Sequence, residues 1–397
     1  MKPRVFITIH YLELGGAEAS LIGLLQAIDY SKVDVDLFVH AHHGELMALI
    51  PAEVNLLPEI KKYSVLEEPI KDCITRGYPD VAVCRLLGRS LRKRYYKSHT
   101  AVKDDDDYFL SHYTTWLLPR VNPTVEYDLA ISFLTPHKIV LDKVRAKKKV
   151  AWIHTDYQAI KVSRELALPV WERYDTIVSI SKDITKTFLN VFPSLSGKIV
   201  EIENILSAAM VSKRAQLVDV SQEMADTDIN LLSVGRFAPA KNYDNVPDIA
   251  RRIVDAGYGN LRWYIIGYGM DEPLIRRRIA QAGMQDHVIL LGKKTNPYPY
   301  IKACDIYVQP SRYEGKSVTV REAQVLCKPV IVTNYATAAS QIQHRIDGMI
   351  VPMDNEGCAQ GIIDVINNKP LQDSLVSYLT THDYGNEREV EKIYALI

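Results

Sequence analysis

The chain has 397 residues, long for a single domain and enough for two, and 47% of them are hydrophobic, so a large core can form. Lys plus Arg and Asp plus Glu are equal at 48 each, which excludes a surface given over as a whole to nucleic acid or another polyanion. The five cysteines, Cys73, Cys84, Cys304, Cys327 and Cys358, form no Cys-x-x-Cys pair and no metal-ligand spacing with His, which excludes a disulfide framework and suits a reducing cytoplasm.

The apolar run at 5–9 is too short for a signal peptide or a membrane span, and no later stretch is long enough for a span. The expectation is a cytoplasmic protein, soluble or attached at most to the inner face of a membrane. Residues 5–9 read as a buried strand, Gly15 and Gly16 as part of a loop, and residues 19–28 as a helix, the opening of a βαβ unit. The loop lacks the third glycine of the dinucleotide fingerprint. Residues 33–39 alternate apolar with acidic positions as a second strand.

From 42 to 127 the periodicity is poor. Within that region Arg85, Arg89, Arg92, Lys93, Arg94, Lys97 and Lys103 are interleaved with leucines and tyrosines, with no acid among them. Such a basic helix suits an anionic membrane surface, or a solvated face offset by Asp104, Asp105, Asp106 and Asp107. Residues 128–133 and 149–153 read as further buried strands. His154 ends the second of them, on the side of an open α/β sheet where ligands bind, with a purely structural histidine as the alternative. A strand at 176–180, Ser181 as N-cap of a helix at 182–192, and a strand at 198–202 follow. The charged, weakly patterned stretch 212–228 reads as the interdomain linker.

The α/β rhythm then restarts. Residues 229–234 form a strand that runs into a loop holding Gly235, Arg236, Lys241 and Asn242. A strand at 261–266 ends in a glycine turn, a helix covers 272–282, and a strand at 287–291 leads to Gly292 and Lys293. A helix at 298–303, a strand at 306–310, closing strands at 328–333 and 348–352, a helix at 355–367 and a charged helical tail from 386 complete the chain.

The stretch 313–323 carries the chemistry. Gly315 lets the backbone approach a ligand closely, and a helix starting near Ser317 turns the N–H groups of Ser317 and Val318 outward, where anionic phosphate is favoured. Glu314 and Glu322 bracket this turn, with a solvated helix face as the alternative reading of the pair. Arg236 and Lys241 supply two cations able to hold a diphosphate as it departs, or are ordinary surface charges.

Glu314-Gly315 and Glu322, the two glutamates separated by seven residues and preceded by Gly235-Arg236 and Lys241-Asn242, resemble the signature of retaining glycosyltransferases of family four, the group 1 glycosyl transferases. The resemblance is continuous from about 229 to 367 and looser before. It implies an α/β chain of GT-B architecture, two Rossmann-like domains facing across a cleft: an acceptor-side domain at 1–205, a nucleotide-sugar-binding domain at 206–380, and a C-terminal helix at 381–397 that packs back on the first. It implies retaining transfer of a sugar from a nucleotide sugar, with UDP favoured, to a glycan or lipid-linked glycan in cell-surface polysaccharide synthesis. Glu314 then contacts hydroxyls of the donor sugar and Glu322 those of the ribose. Arg236 and Lys241 stabilise the leaving diphosphate, and the backbone at Gly292 and Lys293 meets the base. Gly15, Gly16 and Glu18 match the family's Gly-Gly-x-Glu near the donor phosphate and acceptor, with a capping role the alternative for Glu18, and His154 matches a histidine that approaches the donor sugar. No metal ion and no cofactor beyond the donor is expected. The sequence departs from many relatives at Ser317, where they carry glycine, and at Lys316, where they carry an apolar residue, which puts the donor preference in question.

Three rivals are a nicotinamide-dependent oxidoreductase, a solute-binding protein and a catalytically idle sugar-nucleotide binder. The missing three-glycine fingerprint counts against the first. The absence of an export signal and the odd number of cysteines count against the second.

Overall fold

The computed structural model describes residues 2–397 apart from 14, 67, 99–105, 158, 159, 161 and 225–228. Lys103, Asp104 and Asp105 therefore lie outside the described residues, as does the end of the 212–228 stretch. The chain divides into two compact units, Met1–Ile205 with Glu387–Ile397, and Leu206–Asn386.

The first unit is built on seven parallel strands: β1 (Arg4–Ile9), β2 (Asp34–Val39), β3 (Asn55–Leu56), β4 (Tyr127–Ser132), β5 (Ala146–Ile153), β6 (Thr176–Ser179) and β7 (Ile199–Glu201). Their order is β3-β2-β1-β4-β5-β6-β7. Ile7 lies opposite Leu37 on one side and Ile131 on the other. Five consecutive residues of β1, from Val5, are buried, as a parallel strand covered by helices on both faces requires. The tail returns to this unit at Glu387 instead of 381. Val390 and Ile393 are buried in its core, and the Tyr394 hydroxyl accepts from the Asp29 amide at 2.7 Å.

The poorly periodic region holds helices at Lys61–Ser64, Ile70–Thr75, Pro79–Ser98 and Asp106–Thr114. Pro79–Ser98 hides its helical period because the stripe it buries is Val81, Ala82, Arg85 and Gly88, two small residues and a cation among them. Arg85 is no part of a basic surface. Its guanidinium donates through Nη1 to the carbonyls of Val65 at 3.1 Å and Glu68 at 2.5 Å, partners that offset part of the cost of burying the charge. Arg89, Lys93, Arg94 and Lys97 stay exposed beside Val83, Leu86 and Leu87. No described helix is long and apolar enough to cross a membrane.

The second unit carries six parallel strands: β8 (Ile229–Val234), β9 (Leu261–Ile266), β10 (Val288–Gly292), β11 (Ile306–Gln309), β12 (Val330–Thr333) and β13 (Met349–Val351), in the order β10-β9-β8-β11-β12-β13. Alternation along each strand splits the core into two layers. Leu231 and Trp263 join one with Ile249, Ile253 and Ile362, whereas Leu232 and Tyr264 join the other with Tyr307, Val320 and Ala323. The stretch read as a linker belongs to this unit instead. Ala208–Arg214 is a helix capped by Ser207, and Val211, Ala215, Val220 and Met224 are buried in the second layer. The chain changes unit at 205/206 and again at 386/387.

In both sheets the strand order reverses once, between β1 and β4 in the first and between β8 and β11 in the second. The loops that leave the carboxyl ends of β8 and β11 therefore diverge from a shared point, which is where open α/β sheets bind their ligands.

Candidate functional site

Two loops build the site of the second unit. The first follows β8 and begins at Gly235, where a Cβ would stand 2.8 Å from the Tyr243 hydroxyl and 3.2 Å from Cε of Lys241. Glycine here lets the lysine stem lie against the backbone. Asn242 turns the chain in the left-handed region, at φ 61°, and its Nδ2 donates to the Pro310 carbonyl at 2.9 Å. The second loop follows β11 and is clamped to the first by Arg312. Its amide donates to the Ala240 carbonyl at 2.7 Å, and its guanidinium grips the Asp244 carboxylate with two bonds of 2.9 and 2.8 Å.

The clamp brings Lys241 Nζ to 2.6 Å from Glu314 Oε1. The same oxygen accepts from Ser311 Oγ at 2.6 Å and Gln309 Nε2 at 3.1 Å, and the Glu314 carbonyl accepts from Thr337 Oγ1 at 2.8 Å. Among the described residues Oε2 receives no hydrogen bond, so the carboxylate is fixed through one oxygen and keeps acceptor capacity on the other.

The helix Val318–Val325 starts directly after this loop with Ser317 as N-cap. The Ser317 N–H, expected to face a phosphate, is already taken: it donates to Gln341 Oε1 at 3.0 Å while Gln341 Nε2 donates back to the Ser317 carbonyl at 2.6 Å. Val318 is in the first turn, where N–H groups have no intrahelical acceptor and the helix dipole is positive. One turn on, Glu322 is buried at 5% exposure and its Oε1 accepts from the Tyr298 hydroxyl at 2.9 Å. Burial pushes its carboxyl up to about 7, against the lowering effects of that hydrogen bond and of the Arg214 cation.

In the first unit Gly15 is the N-cap of the helix Gly16–Ala27, and a Cβ on it would stand 2.0 Å from Oε2 of Glu18, so the glutamate folds back over the loop. A Cβ on Gly16 would meet nothing. His154 follows β5, with its ring 4.6 Å from that of Phe133 and lying nearly parallel to that of Trp152 at 6.0 Å. Both its ring nitrogens are buried and neither makes a well-formed hydrogen bond among the described residues; burial drops its pKa to about 3 against a smaller raising effect of the Phe133 backbone, so the imidazole is neutral. Three further histidines follow strands of this sheet: His10 directly after β1, His40 directly after β2, and His137 five residues after β4, at the N-cap of the helix Lys138–Lys143. His40 Nε2 is paired with Thr8 Oγ1 at 3.0 Å and His137 Nδ1 with Ser132 Oγ at 2.8 Å.

Residues 218–381 match the family of glycosyl transferases group 1. The site loops, from Gly235 to Glu322, all fall inside that match. Residues 218–381 are a group 1 glycosyl transferase domain. The chain is 25% identical over 214 residues, 53% of its length and 56% of the other, to a Campylobacter jejuni N-acetylgalactosaminyltransferase named for a diphospho-undecaprenol acceptor. It is 26% identical over 141 residues, 35% of its length and 36% of the other, to an Escherichia coli enzyme named UDP-Gal:alpha-D-GlcNAc-diphosphoundecaprenol alpha-1,3-galactosyltransferase. The chain spans about half the length of the curated relatives it matches. Its fold is that of HepE from Anabaena, solved with UDP-glucose, at a TM-score of 0.68 and 14% identity over 99% of this chain and 98% of that one. That is the GT-B fold of two Rossmann-like domains.

Within the group 1 domain the candidate residues divide. Lys241, Glu314, Ser317 and Glu322 belong to connected hydrogen-bond networks, as above. Arg236 is exposed and makes no hydrogen bond or ion pair with the described residues, so it does not join Lys241 on Glu314. Lys316 is half-buried in the loop after Glu314. Gly292 ends β10 in the left-handed region at φ 69°, and Lys293 sets its ammonium 4.8 Å from the centre of the Tyr268 ring. The glycine turn after β9 serves packing: a Cβ on Gly267 would come within 1.9 Å of the Gly235 carbonyl oxygen, and one on Gly269 within 2.3 Å of that of Phe237. Sequence reasoning missed Arg312, Asp244, Gln309, Tyr298 and Arg214, together with the three extra histidines. For the histidines a signal existed, since each stands within a few residues of a strand end that the apolar runs predict.

Proposed function

We propose that this protein transfers a sugar from a UDP-sugar to a glycan or lipid-linked glycan acceptor, with retention at the anomeric carbon, in cell-surface polysaccharide assembly. The observation that carries the reading is the 2.6 Å contact of Lys241 with Glu314 at the strand-order reversal of a group 1 domain. The relatives named for diphosphoundecaprenol acceptors, and the UDP-glucose complex of HepE, support the acceptor and donor classes.

Donor binding and departure then follow from the geometry. The open oxygen of Glu314 accepts hydroxyls of the sugar, and Lys241, already beside it, bears on the diphosphate as negative charge builds there. The first turn at Val318 adds positive potential, and exposed Arg236 reaches the same diphosphate from solvent. Ser317 contributes its position as N-cap, and Lys316 lies beside the donor sugar, where it tunes donor preference. Glu322 takes ribose hydroxyls, and the Gly292 and Lys293 backbone meets the base. Gly15, Gly16 and His154 are the substrate-binding candidates of the first unit. The acceptor hydroxyl attacks on the face from which the diphosphate leaves, and its proton passes to a donor phosphate oxygen as the new C–O bond forms and the old one breaks. Because Lys241, Arg236 and the helix start supply the positive charge, the reaction requires no metal ion and no cofactor. The enzyme works in the cytoplasm, peripheral to the membrane that carries its acceptor.

A panel of UDP-, GDP- and ADP-sugars tests this by thermal stabilisation, nucleotide release with and without EDTA, and NMR of the anomeric configuration in the product. Stabilisation and turnover by a UDP-sugar, unaffected by EDTA and with the anomer kept, is the expected result. An inverted anomer sinks retention, stabilisation without turnover marks an idle binder, and no response to any nucleotide removes the reading.

A further inference from the structure

We propose that Tyr298 is a positioning residue for nucleotide recognition, holding one oxygen of the Glu322 carboxylate so that the other is presented to the two hydroxyls of a ribose. The inference rests on the donor reading above and adds a residue that neither the resemblance nor the family match assigns.

Glu322 sits on the buried side of the helix Val318–Val325, at 5% exposure. A carboxylate there needs donors, or it loses its charge or its place. The Tyr298 hydroxyl supplies one donor to Oε1 at 2.9 Å. Among the described residues Oε2 receives none, and it is not among the buried atoms lacking a partner. One oxygen is thus tied down and the other is left with room for a donor. A carboxylate accepts more than one hydrogen bond per oxygen, which suits vicinal hydroxyls.

Tyr298 is itself held in place. It opens the helix Tyr298–Ala303, and the Arg214 guanidinium lies 5.0 Å from its ring centre. Arg214 donates to the Thr295 carbonyl at 2.8 Å, and its own carbonyl accepts from Asn296 Nδ2 at 2.8 Å. The helix Ala208–Arg214, the turn at Thr295 and Asn296, and the helix Tyr298–Ala303 therefore converge on one side chain. A buried tyrosine–glutamate pair serving stability alone would not need a rigidly backed phenol on one oxygen and an unengaged second oxygen.

The test compares UDP with 2′,3′-dideoxy-UDP by calorimetry, on the full chain, for wild type and Tyr298→Phe, with Glu322→Gln as a second variant and the melting temperature of each recorded. Wild type should prefer UDP by at least about tenfold, the size of a hydrogen bond or two to a charged group. Tyr298→Phe should weaken UDP by about tenfold and the dideoxy analogue by far less, so that the preference collapses. Glu322→Gln should lose the preference too, and Tyr298→Leu, which removes the same donor, should behave as Tyr298→Phe and keeps the test readable if the phenylalanine variant does not fold. A preference that survives in Tyr298→Phe overturns the inference and leaves the donor reading standing. Equal binding of the two nucleotides by wild type overturns the inference as well, and failure of wild type to bind UDP, ADP or GDP removes the donor reading and the inference together.

Discussion

Lys241 and Glu314 are 73 residues apart in sequence and 2.6 Å apart in space, because the strands they follow, β8 and β11, are neighbours at the point where the sheet changes direction. The pair is partly buried, with side-chain exposures of 21% and 10%, so each charge is worth more than it would be on an open surface. Lys241→Ala and Glu314→Ala should each lower kcat/KM for the preferred nucleotide sugar by about 10²–10³-fold, the usual loss when one group aimed at developing charge is removed. The double variant should lose little more than either single one, since each leaves its partner misdirected. Nucleotide-release kinetics on variants with unchanged circular dichroism decide this, and near wild-type turnover by either single variant rules the pair out of the chemistry.

Arg312 acts on that pair from behind. Its two bonds to Asp244 and its amide bond to Ala240 fix the spacing of the two loops. Lysine keeps the charge but cannot form the planar double contact. Arg312→Lys should cost about 1–3 kcal/mol in stability, and it should lower kcat more than it weakens UDP binding, because Glu322 and Gly292 lie outside the clamp. Equal losses in kcat and nucleotide affinity would show that the clamp shapes the whole site instead of the Lys241–Glu314 spacing.

The strands and the site loops were legible in the sequence because short apolar runs end in glycine or polar turns. Residues 229–234 and 306–310 announce themselves, and Gly235 and Glu314 follow at once. What could not be read arises from contacts between distant segments. The Ser317 N–H looks free from its neighbours, but Gln341, 24 residues on, takes it. Residues 212–228 look like a linker since their charges are frequent, yet Val211, Ala215, Val220 and Met224 recur at spacings of four and five and bury that side. Arg85 reads as one more surface cation until the carbonyls of Val65 and Glu68 are found around it. Tyr298 carries no local sign of its hydrogen bond to Glu322.

Glu322 links pH to stability with a definite sign. Its carboxyl is pushed from 4.5 up to about 7 by burial, so between those values the folded chain holds a proton that the unfolded chain has released. Stability from this group is therefore present at low pH and is lost as pH rises from 4.5 towards 7, by about 2–3 kcal/mol between pH 5 and pH 8. Glu322→Gln keeps an acceptor for Tyr298 and has no charge to bury. It should be more stable than wild type at pH 8 and close to it at pH 5, while binding UDP more weakly at both. Urea unfolding at the two pH values measures the first effect, and a variant no more stable than wild type at pH 8 would show that Glu322 does not carry the penalty.

The buried histidines of the first unit push the opposite way. His137 and His154 are both lowered to about 3 by burial, and His40 is lowered well below its usual range by burial and by the neighbouring His10. They are neutral in the folded chain, whereas in the unfolded chain each takes a proton below 6.5. Their stability is fully present above 6.5 and drains away as pH falls towards 3, at about 2 kcal/mol per residue by pH 5. His154→Phe isolates one of them, because a phenyl ring keeps the contacts with Phe133 and Trp152 and removes both buried nitrogens. The loss of unfolding free energy between pH 7.5 and pH 5 should shrink by about 2 kcal/mol in this variant relative to wild type. An unchanged pH dependence would mean that the folded chain does not hold the His154 imidazole below its ordinary range.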